Sequence, residues 1–508
     1  MKPSSFARGH AEFAEMIMNN RRLLRASAAS APPRETFTQL SSQNMTNTIK
    51  AFALVALAAT ALGAQDSTAG KETPPAPGTP KNFRVPPRRN FTLPNGLQVT
   101  LVPFGRVPKI AVELEVRTGI IDQGPNDISL ASVTSDMLLE GTTTRSAQDI
   151  SRQAAEMGGS VNVTPGSEVI AVSGEVLSDR ATAFIPLLAD VLLNPKFDEA
   201  DLKRTIDKHA RDNAIALSSP GTLAQKRFRE IMYASHPFAN VFPPEEMLRG
   251  FTVARVKEFH TKNFGAKRSR LYVSGVFNAR EVEQAIRDAF GGWAEGPAAT
   301  ENPPVITAKR QVDVIDRANS VQSSIWMGTP VADPANADWV KMNVTDALLG
   351  GAFGSRITAN IREDKGYTYS PGSFIWTRKK ASMWVETADV TSNVTGASLT
   401  EIFKEIDRLR TEAPPQGELD GIKNNLAGVF TVQNSSRSGL INQLEFVDLH
   451  GLGDEYVTNY VKNILAVTPE DVRATAERHL DPQKFSIAIV GTKKDIDKQL
   501  GEVKIIRP

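Results

Sequence analysis

The sequence predicts an α+β fold of two similar halves, each an antiparallel-rich sheet packed with helices, which together enclose a central cavity. Three observations support this prediction. Strand-like alternation and helical periodicity succeed one another from Asn90 onward. A stretch rich in Gly, Pro and Ala, from Gly291 to Arg310, divides this region into parts of about 200 residues each, which is an ordinary domain size. A stretch near the end of the first part is repeated near the end of the second.

Composition limits the possible function. The chain has 508 residues, of which 41% are hydrophobic and 23% charged, as in ordinary globular proteins. Its net charge of +2 gives no reason to expect a nucleic acid as partner. The absence of cysteine excludes disulfides, thiolate metal sites and cysteine nucleophiles.

The amino-terminal region predicts export. Lys50 precedes an apolar run, Ala51 to Ala64, which ends in small residues and is typical of a signal peptide over residues 45–64. At roughly 14 residues the run is too short to span a bilayer, so we expect a periplasmic or secreted chain without a membrane span. Residues 1–44 are interpreted as an upstream extension and residues 65–89 as a disordered linker.

The first half, residues 90–293, opens with "NFTLPNGLQVTLVPF", where Asn95-Gly96 predicts a hairpin, and continues with the strand "KIAVELEVRTG". A helix follows in "SLASVTSDMLLEGT", with a buried stripe of Leu130, Val133, Met137 and Leu138. Periodicity then predicts helices over 147–157, 179–193, 198–217 and 222–232, with two strands between the first two of them.

Three polar side chains, Ser132, Ser135 and Asp136, share a different side of the helix in "SLASVTSDMLLEGT". They could form a site, a former site or a plain polar face. A serine nucleophile would need an adjacent base, and no histidine is near in sequence. The six histidines never stand within one helical turn of each other, so we interpret them as surface or turn residues.

The second half, residues 311–508, follows a linker at 294–310 and repeats the first. Thr252 aligns with Thr468, and "TVARVKEFHTKNFGAKRSRLYVSGVF" aligns without a gap with "TPEDVRATAERHLDPQKFSIAIVGTK". Each copy predicts a capped helix, a turn and a buried strand, which indicates duplication.

A glycine-containing segment of the second half, "LLGGAFGSRITANIREDKGYTYSPGSF", holds a second candidate site. We expect a flexible loop at Gly350, Gly351 and Gly354, then a helix that ends at Gly366, and then a strand from Tyr367. This places Arg362 on the last turns of the helix and Tyr369 in the strand.

These motifs together resemble the pitrilysin and insulinase family of inverted zincins (peptidase family M16), in particular its processing-peptidase-like branch. The resemblance rests on "LPNGLQVTLVP", "VRTGIIDQ", "SLASVTSDMLLEGT", "SHPF" and "RITANIREDKGYTYS", in this order, and on the duplicated halves. Active members carry the zinc motif HxxEH on the helix that "SLASVTSDMLLEGT" matches.

The resemblance implies that zinc chemistry is missing from this chain. Ser132, Ser135 and Asp136 stand where the two histidine ligands and the glutamate base would be. The third ligand, a glutamate about 77 residues further on, would fall around Arg211, Asp212 and Asn213, where no glutamate stands. We therefore expect no catalytic residue and no metal in this chain.

By the same resemblance, Arg362 and Tyr369 match an arginine and a tyrosine that hydrogen-bond the substrate backbone. Both side chains can donate to a carbonyl oxygen without titrating near neutral pH. The sequence thus suggests a subunit that is inactive alone and that completes the peptide-binding chamber of a zinc-containing HxxEH partner. A non-enzymatic scaffold or peptide-binding protein and, third, a hydrolase that uses Ser132 or Ser135 stay open as alternatives.

Overall fold

The computed structural model describes residues 83–306 and 308–501. The predicted extension, the predicted signal peptide and residues 65–82 of the predicted linker at 65–89 lie outside these ranges. Within the described ranges no helix is long and apolar enough to cross a membrane.

The first half forms a six-stranded sheet in the order β1-β2-β6-β3-β5-β4, in which only β2 and β6 run parallel. Its strands are β1 Arg89–Thr92, β2 Gln98–Pro103, β3 Lys109–Val116, β4 Asn162–Pro165, β5 Ile170–Leu177 and β6 Ser269–Gly275. Its helices are α1 Leu130–Leu138, α2 Ala147–Glu156, α3 Ala181–Leu193, α4 Glu199–Leu217, α5 Pro220–Tyr233, α6 Glu245–Arg249, α7 Val253–Asn263 and α8 Ala279–Phe290. The predicted hairpin is confirmed, and Gly96 at its turn has a φ of 91°.

The second half forms a five-stranded sheet in the order β7-β11-β8-β10-β9, in which only β7 and β11 run parallel. Its strands are β7 Gln311–Asp316, β8 Gln322–Val331, β9 Gly372–Arg378, β10 Ala381–Thr391 and β11 Ser486–Gly491. Its α-helices are α9 Trp339–Asp346, α10 Thr395–Thr411, α11 Gln416–Gln433, α12 Arg437–His450, α13 Asp454–Ala466, α14 Pro469–His479 and α15 Lys493–Leu500. Two π-helical segments, Ala347–Gly351 and Thr358–Asp364, follow α9.

The two sheets share one topology, which confirms the predicted duplication. Strands β2, β6, β3, β5 and β4 correspond in order and direction to β7, β11, β8, β10 and β9. The repeated stretch supplies the equivalent helices α7 and α14, which the side chains of Thr252 and Thr468 cap by accepting a backbone N–H.

Each half contributes a helix to the sheet of the other half. Alternate residues of β3, such as Val112 and Leu114, pack into the core of the first half, whereas Ala111 packs against Leu440 and Leu444 of α12. Reciprocally, Phe228 of α5 packs on the second sheet. Both sheets are therefore covered on both faces.

Aromatic and charged contacts hold the exchanged helices in place. Phe228 is fully buried, with its ring centroid 6.0 Å from that of Trp326 on β8. Arg227 of α5 forms an ion pair with Asp313 on β7. In the other direction, Nη2 of Arg437, the first residue of α12, lies 2.8 Å from Oε1 of Glu175 on β5. These helices form part of the contact between the halves.

We expect Phe228→Ala to lower the free energy of unfolding by about 3–5 kcal/mol, because it leaves a large cavity between α5 and the second sheet. Since the exchanged helices couple the halves, the protein should unfold in a single transition. Tryptophan fluorescence and far-ultraviolet circular dichroism should therefore show the same shift of the urea midpoint in this variant. Ile215→Ala, which truncates a side chain that is 55% exposed, is the control with little expected effect. Two transitions, of which only one moves, would contradict this coupling.

Candidate functional site

The polar side of α1 lies in the first half, where the sequence predicts a degenerate zinc site. The apolar stripe is confirmed, since Leu130, Val133, Met137 and Leu138 are at most 2% exposed. The helix begins after Ser129, which has a φ of 74° and no side-chain cap. Gln123 caps the helix instead, because its Oε1 accepts a hydrogen bond from the backbone N–H of Ala131 at 2.9 Å.

The three polar side chains of α1 have different environments. Ser135 is fully buried, and its hydroxyl donates to the carbonyl oxygen of Ala131 at 2.8 Å. Ser132 is half-buried. Asp136 turns toward α4, where its Oδ2 accepts from Lys208 Nζ at 2.7 Å and lies 3.1 Å from His209 Nε2. The buried, backbone-bonded hydroxyl of Ser135 is poorly placed for the alternative of a serine nucleophile.

The partners of Asp136 set the electrostatics of this site. Burial alone would raise the pKa of the Asp136 carboxyl, but the hydrogen bonds and charges of His209 and Lys208 outweigh it and lower that pKa below its usual value. The same pairing raises the pKa of the Lys208 ammonium. A carboxylate held by an ammonium is a poor ligand for a metal cation. The ammonium already occupies the position beside the carboxylate that the metal ion would take, and its charge repels a second cation.

The donor set of this site does not fit zinc. A catalytic zinc needs three fixed protein ligands; of the two matching positions on α1, one is Ser132 and the other, Asp136, is held by Lys208 and His209. Across residues 83–306 and 308–501 no three histidine, aspartate or glutamate side chains converge to hold a metal ion. Asn213, at the expected place of the third ligand, instead donates to the carbonyl oxygen of Pro243 at 3.0 Å.

His209 is the residue of this site that sequence reasoning missed. It was expected to be a surface or turn residue, but it is half-buried and paired with Asp136, 73 positions earlier. Thr205, one turn before it on α4, contacts Met137 Sδ at 3.5 Å. The helical spacing of Thr205 and His209 could have shown that they share a face, but not that this face meets α1.

The segment with the second candidate pair differs from its prediction in three ways. Gly350 and Gly351 belong to the π-helical segment Ala347–Gly351, not to a flexible loop. Arg362 lies in the π-helical segment Thr358–Asp364, and Gly366 follows with the predicted left-handed φ of 64°. The strand does not begin at Tyr367.

Tyr369 lies in the connection before β9, which begins only at Gly372. Thr368 makes an isolated bridge with Val390 and donates from its hydroxyl to Asp389 O at 2.7 Å. Pro371 has no N–H for a continuous ladder, which accounts for the late start of the strand.

Arg362 and Tyr369 nevertheless lie next to each other. The Arg362 Cζ lies 5.1 Å from the ring centroid of Tyr369 and 4.6 Å from that of Phe353, within the range of cation–π contacts. Arg362 Nε lies 3.1 Å from Glu363 Oε1. Tyr369 and Phe353 are 81% and 77% exposed. The two rings are thus accessible to a ligand, whereas the Arg362 side chain that they contact is 23% exposed.

Buried neighbours fix the π-helical segment that carries Arg362. Ile357 and Ile361 are fully buried in the core of the second half. Arg356 donates to both carboxylate oxygens of Glu418 on α11, at 2.8 and 2.9 Å. Asn360 donates to Glu401 and Glu405 on α10. Arg362 therefore projects from a rigid support.

Two buried carboxylates lie beside the first π-helical segment. Asp346 accepts from the Ser373 hydroxyl at 2.6 Å, and Glu386 accepts the Gly372 N–H at 3.1 Å. Complete burial, followed by the nearby charge of Asp346, raises the pKa of the Glu386 carboxyl well above its usual value. A Cβ at Gly350 would lie 2.8 Å from Glu386 Oε2, so glycine is needed for this close approach.

Comparisons with known proteins find family matches in both halves. Residues 106–242 match the family model of insulinase (peptidase family M16), and residues 250–426 match that of the peptidase M16 inactive domain. Relatives include an uncharacterized zinc protease of Streptomyces coelicolor, 23% identical over 80% of this chain and 90% of its own length. Another, from Mycobacterium tuberculosis, is 24% identical over 82% of this chain and 96% of its own length.

Solved structures show the same fold. A protease from Helicobacter pylori superposes with a TM-score of 0.75 at 18% identity, over 80% of this chain and all of its own. A peptidase M16 inactive domain from Pseudomonas fluorescens also gives 0.75, at 22% identity, over 80% of this chain and 98% of its own. The predicted architecture of two similar α+β halves is confirmed.

We expect Asp136→Asn to destabilise the protein by about 1 kcal/mol at pH 7, because the ionised carboxylate and its two partners are lost. Since the folded-state pKa of Asp136 is depressed, its contribution is present above the unfolded value of 3.8 and is lost as pH falls through the folded value. Urea unfolding at pH 7 and near pH 3 checks this, with Asp179→Asn as an exposed control. An equal effect at both pH values would contradict it.

Glu386→Gln should stabilise the protein at neutral pH by about 1–3 kcal/mol. The pKa of Glu386 is raised in the folded state. The contribution of its protonated carboxyl to stability is therefore fully present below the unfolded-state pKa of 4.5 and is lost as pH rises toward the folded-state pKa. The gain in unfolding free energy of Glu386→Gln over the wild type, measured in denaturant titrations, should therefore grow from pH 4 to pH 8. Glu412→Gln, at an exposed position, is the matched control, and a pH-independent difference would refute the assignment.

Proposed function

Because this chain belongs to the insulinase family, peptidase family M16, we propose that it is a zinc-free peptide-binding subunit of a metallopeptidase. It contributes one wall of a substrate chamber, and an HxxEH-containing partner subunit supplies zinc and cleaves the peptide. The chain is inactive alone. Its apolar segment at residues 51–64 supports an exported, periplasmic or secreted, location.

The contact of Arg362 with Tyr369 carries this proposal. The two side chains are seven residues apart and in different backbone conformations, yet their charged and aromatic groups lie 5.1 Å apart at an accessible surface. Guanidinium and phenol can both donate to a peptide carbonyl, which is the contact that positions a substrate backbone.

The state of α1 supports the division of labour. Asp136 is held by Lys208 and His209 instead of being available to a metal ion. One half thus keeps the scaffold of a catalytic site without its ligands, while the other keeps a substrate-facing pair. A partner with intact ligands is the simplest source of the missing chemistry.

The second candidate function is a non-enzymatic scaffold of the same fold. The match of residues 250–426 to an inactive domain is compatible with the scaffold function and equally with the peptide-binding subunit. The two functions differ in what Arg362 and Tyr369 do, since a scaffold needs neither side chain for catalysis.

The test is to isolate the complex with its HxxEH partner and to compare the wild type with Arg362→Ala, Tyr369→Phe and the double variant. We expect the double variant to lose roughly 10- to 1000-fold in kcat/KM for unfolded peptides, because two hydrogen bonds to the substrate are removed. Complex assembly should be unchanged, as measured by size-exclusion chromatography.

Arg152→Ala, at an exposed position on α2, is the control and should leave proteolysis unchanged. Full proteolysis by the double variant would favour the scaffold function. Chelator-sensitive cleavage by the purified chain alone would refute the proposal.

A further inference from the structure

Phe353, like Tyr369, has an exposed aromatic ring. Among the residues that the structure describes, they are the only Phe, Tyr or Trp side chains that are largely exposed, and the other large exposed hydrophobic side chains are aliphatic. Both aromatic rings contact the guanidinium of Arg362, at 4.6 and 5.1 Å. The exposed aromatic surface of the described chain is thus concentrated at one point.

The backbone presents Phe353 in a fixed turn between the two π-helical segments. The Ala352 N–H donates to Ala347 O, and the Ser355 N–H donates to Ala352 O, both at 3.0 Å. The Ser355 hydroxyl is bonded to Thr358 at 3.0 Å. A phenyl ring has no polar atom that gains from exposure, so its position on this held turn suits contact with an apolar ligand.

The local charges argue for an apolar ligand group over an acidic one. Glu363 Oε1 already lies 3.1 Å from Arg362 Nε, and Asp364 is the next residue along the chain. An acidic ligand side chain would meet these carboxylates, whereas a neutral backbone carbonyl would not be repelled.

We infer that Phe353 is a specificity-determining residue, which selects a bulky apolar or aromatic side chain in the bound peptide. This inference rests on the proposed function. Arg362 and Tyr369 bind the backbone of an extended peptide. In such a peptide side chains alternate between two sides, so the residue that faces the rings packs on Phe353 and Tyr369 while the backbone carbonyl beside it accepts from Arg362.

Binding of matched peptides to the full-length chain tests this inference. The probes are fluorescein-labelled peptides Gly-Ser-Ala-X-Ala-Ser-Gly, in which X is Phe, Leu, Ala or Asp, titrated by fluorescence anisotropy with protein up to millimolar concentration. We expect the wild type to bind the Phe peptide about three- to tenfold more tightly than the Ala peptide, and the Asp peptide no better than the Ala peptide.

Phe353→Ala should reduce this preference by at least about half, leaving what Tyr369 contributes, while it changes the Kd of the Ala peptide less than about twofold. Phe353→Leu should restore part of the preference. Val321→Ala, which truncates an exposed side chain elsewhere, should change neither. Arg362→Ala should weaken all the peptides alike, because it removes a backbone contact.

The outcomes separate the inference from the proposed function. Binding that depends on Arg362 but shows no preference for Phe over Ala, or a preference that Phe353→Ala leaves unreduced, would overturn the role of Phe353 alone. Absence of any Arg362-dependent binding would overturn the peptide-binding function and with it this inference.

Discussion

The reciprocal placement of α5 and α12 is the constraint on which the rest of the structure depends. Each sheet has helices of its own half on one face, and its other face would be exposed without the helix of the opposite half. The near-continuous burial of β3 follows from this arrangement, because α12 covers the face of the strand that carries Ala111, and even Glu113 on that face is buried. Neither half is a complete folding unit, and the polar surfaces of α1 and the segment around Arg362 are held on one frame.

That frame explains how the first half keeps α1 and α4 in place. Lys208 and His209 bridge α4 to Asp136 of α1. A partly exposed ion pair contributes little energetically. The buried apolar stripe of α1 and the exchanged helices therefore maintain the geometry, and the ion pair only satisfies the remaining carboxylate.

Features with a local signal could be predicted from the sequence, and features that depend on distant contacts could not. The caps at Thr252 and Thr468 and the stripe of α1 follow from spacing within a few residues, and all are present. The pairing of His209 with Asp136 depends on how two helices cross, which no local pattern reveals. The exposed ring of Phe353 was missed because a glycine-rich stretch was interpreted as a flexible loop, whereas buried carboxylates and π-helical hydrogen bonds order it.

The exchange of helices also fixes the order of events during synthesis. The face of the first sheet that holds Ala111 and Tyr272 stays uncovered until α12, which begins at Arg437, has left the ribosome. The contact of Arg437 with Glu175 spans 262 positions, and contacts of such long range slow folding. An emerging first half therefore leaves this face of its sheet open to chaperones and to aggregation.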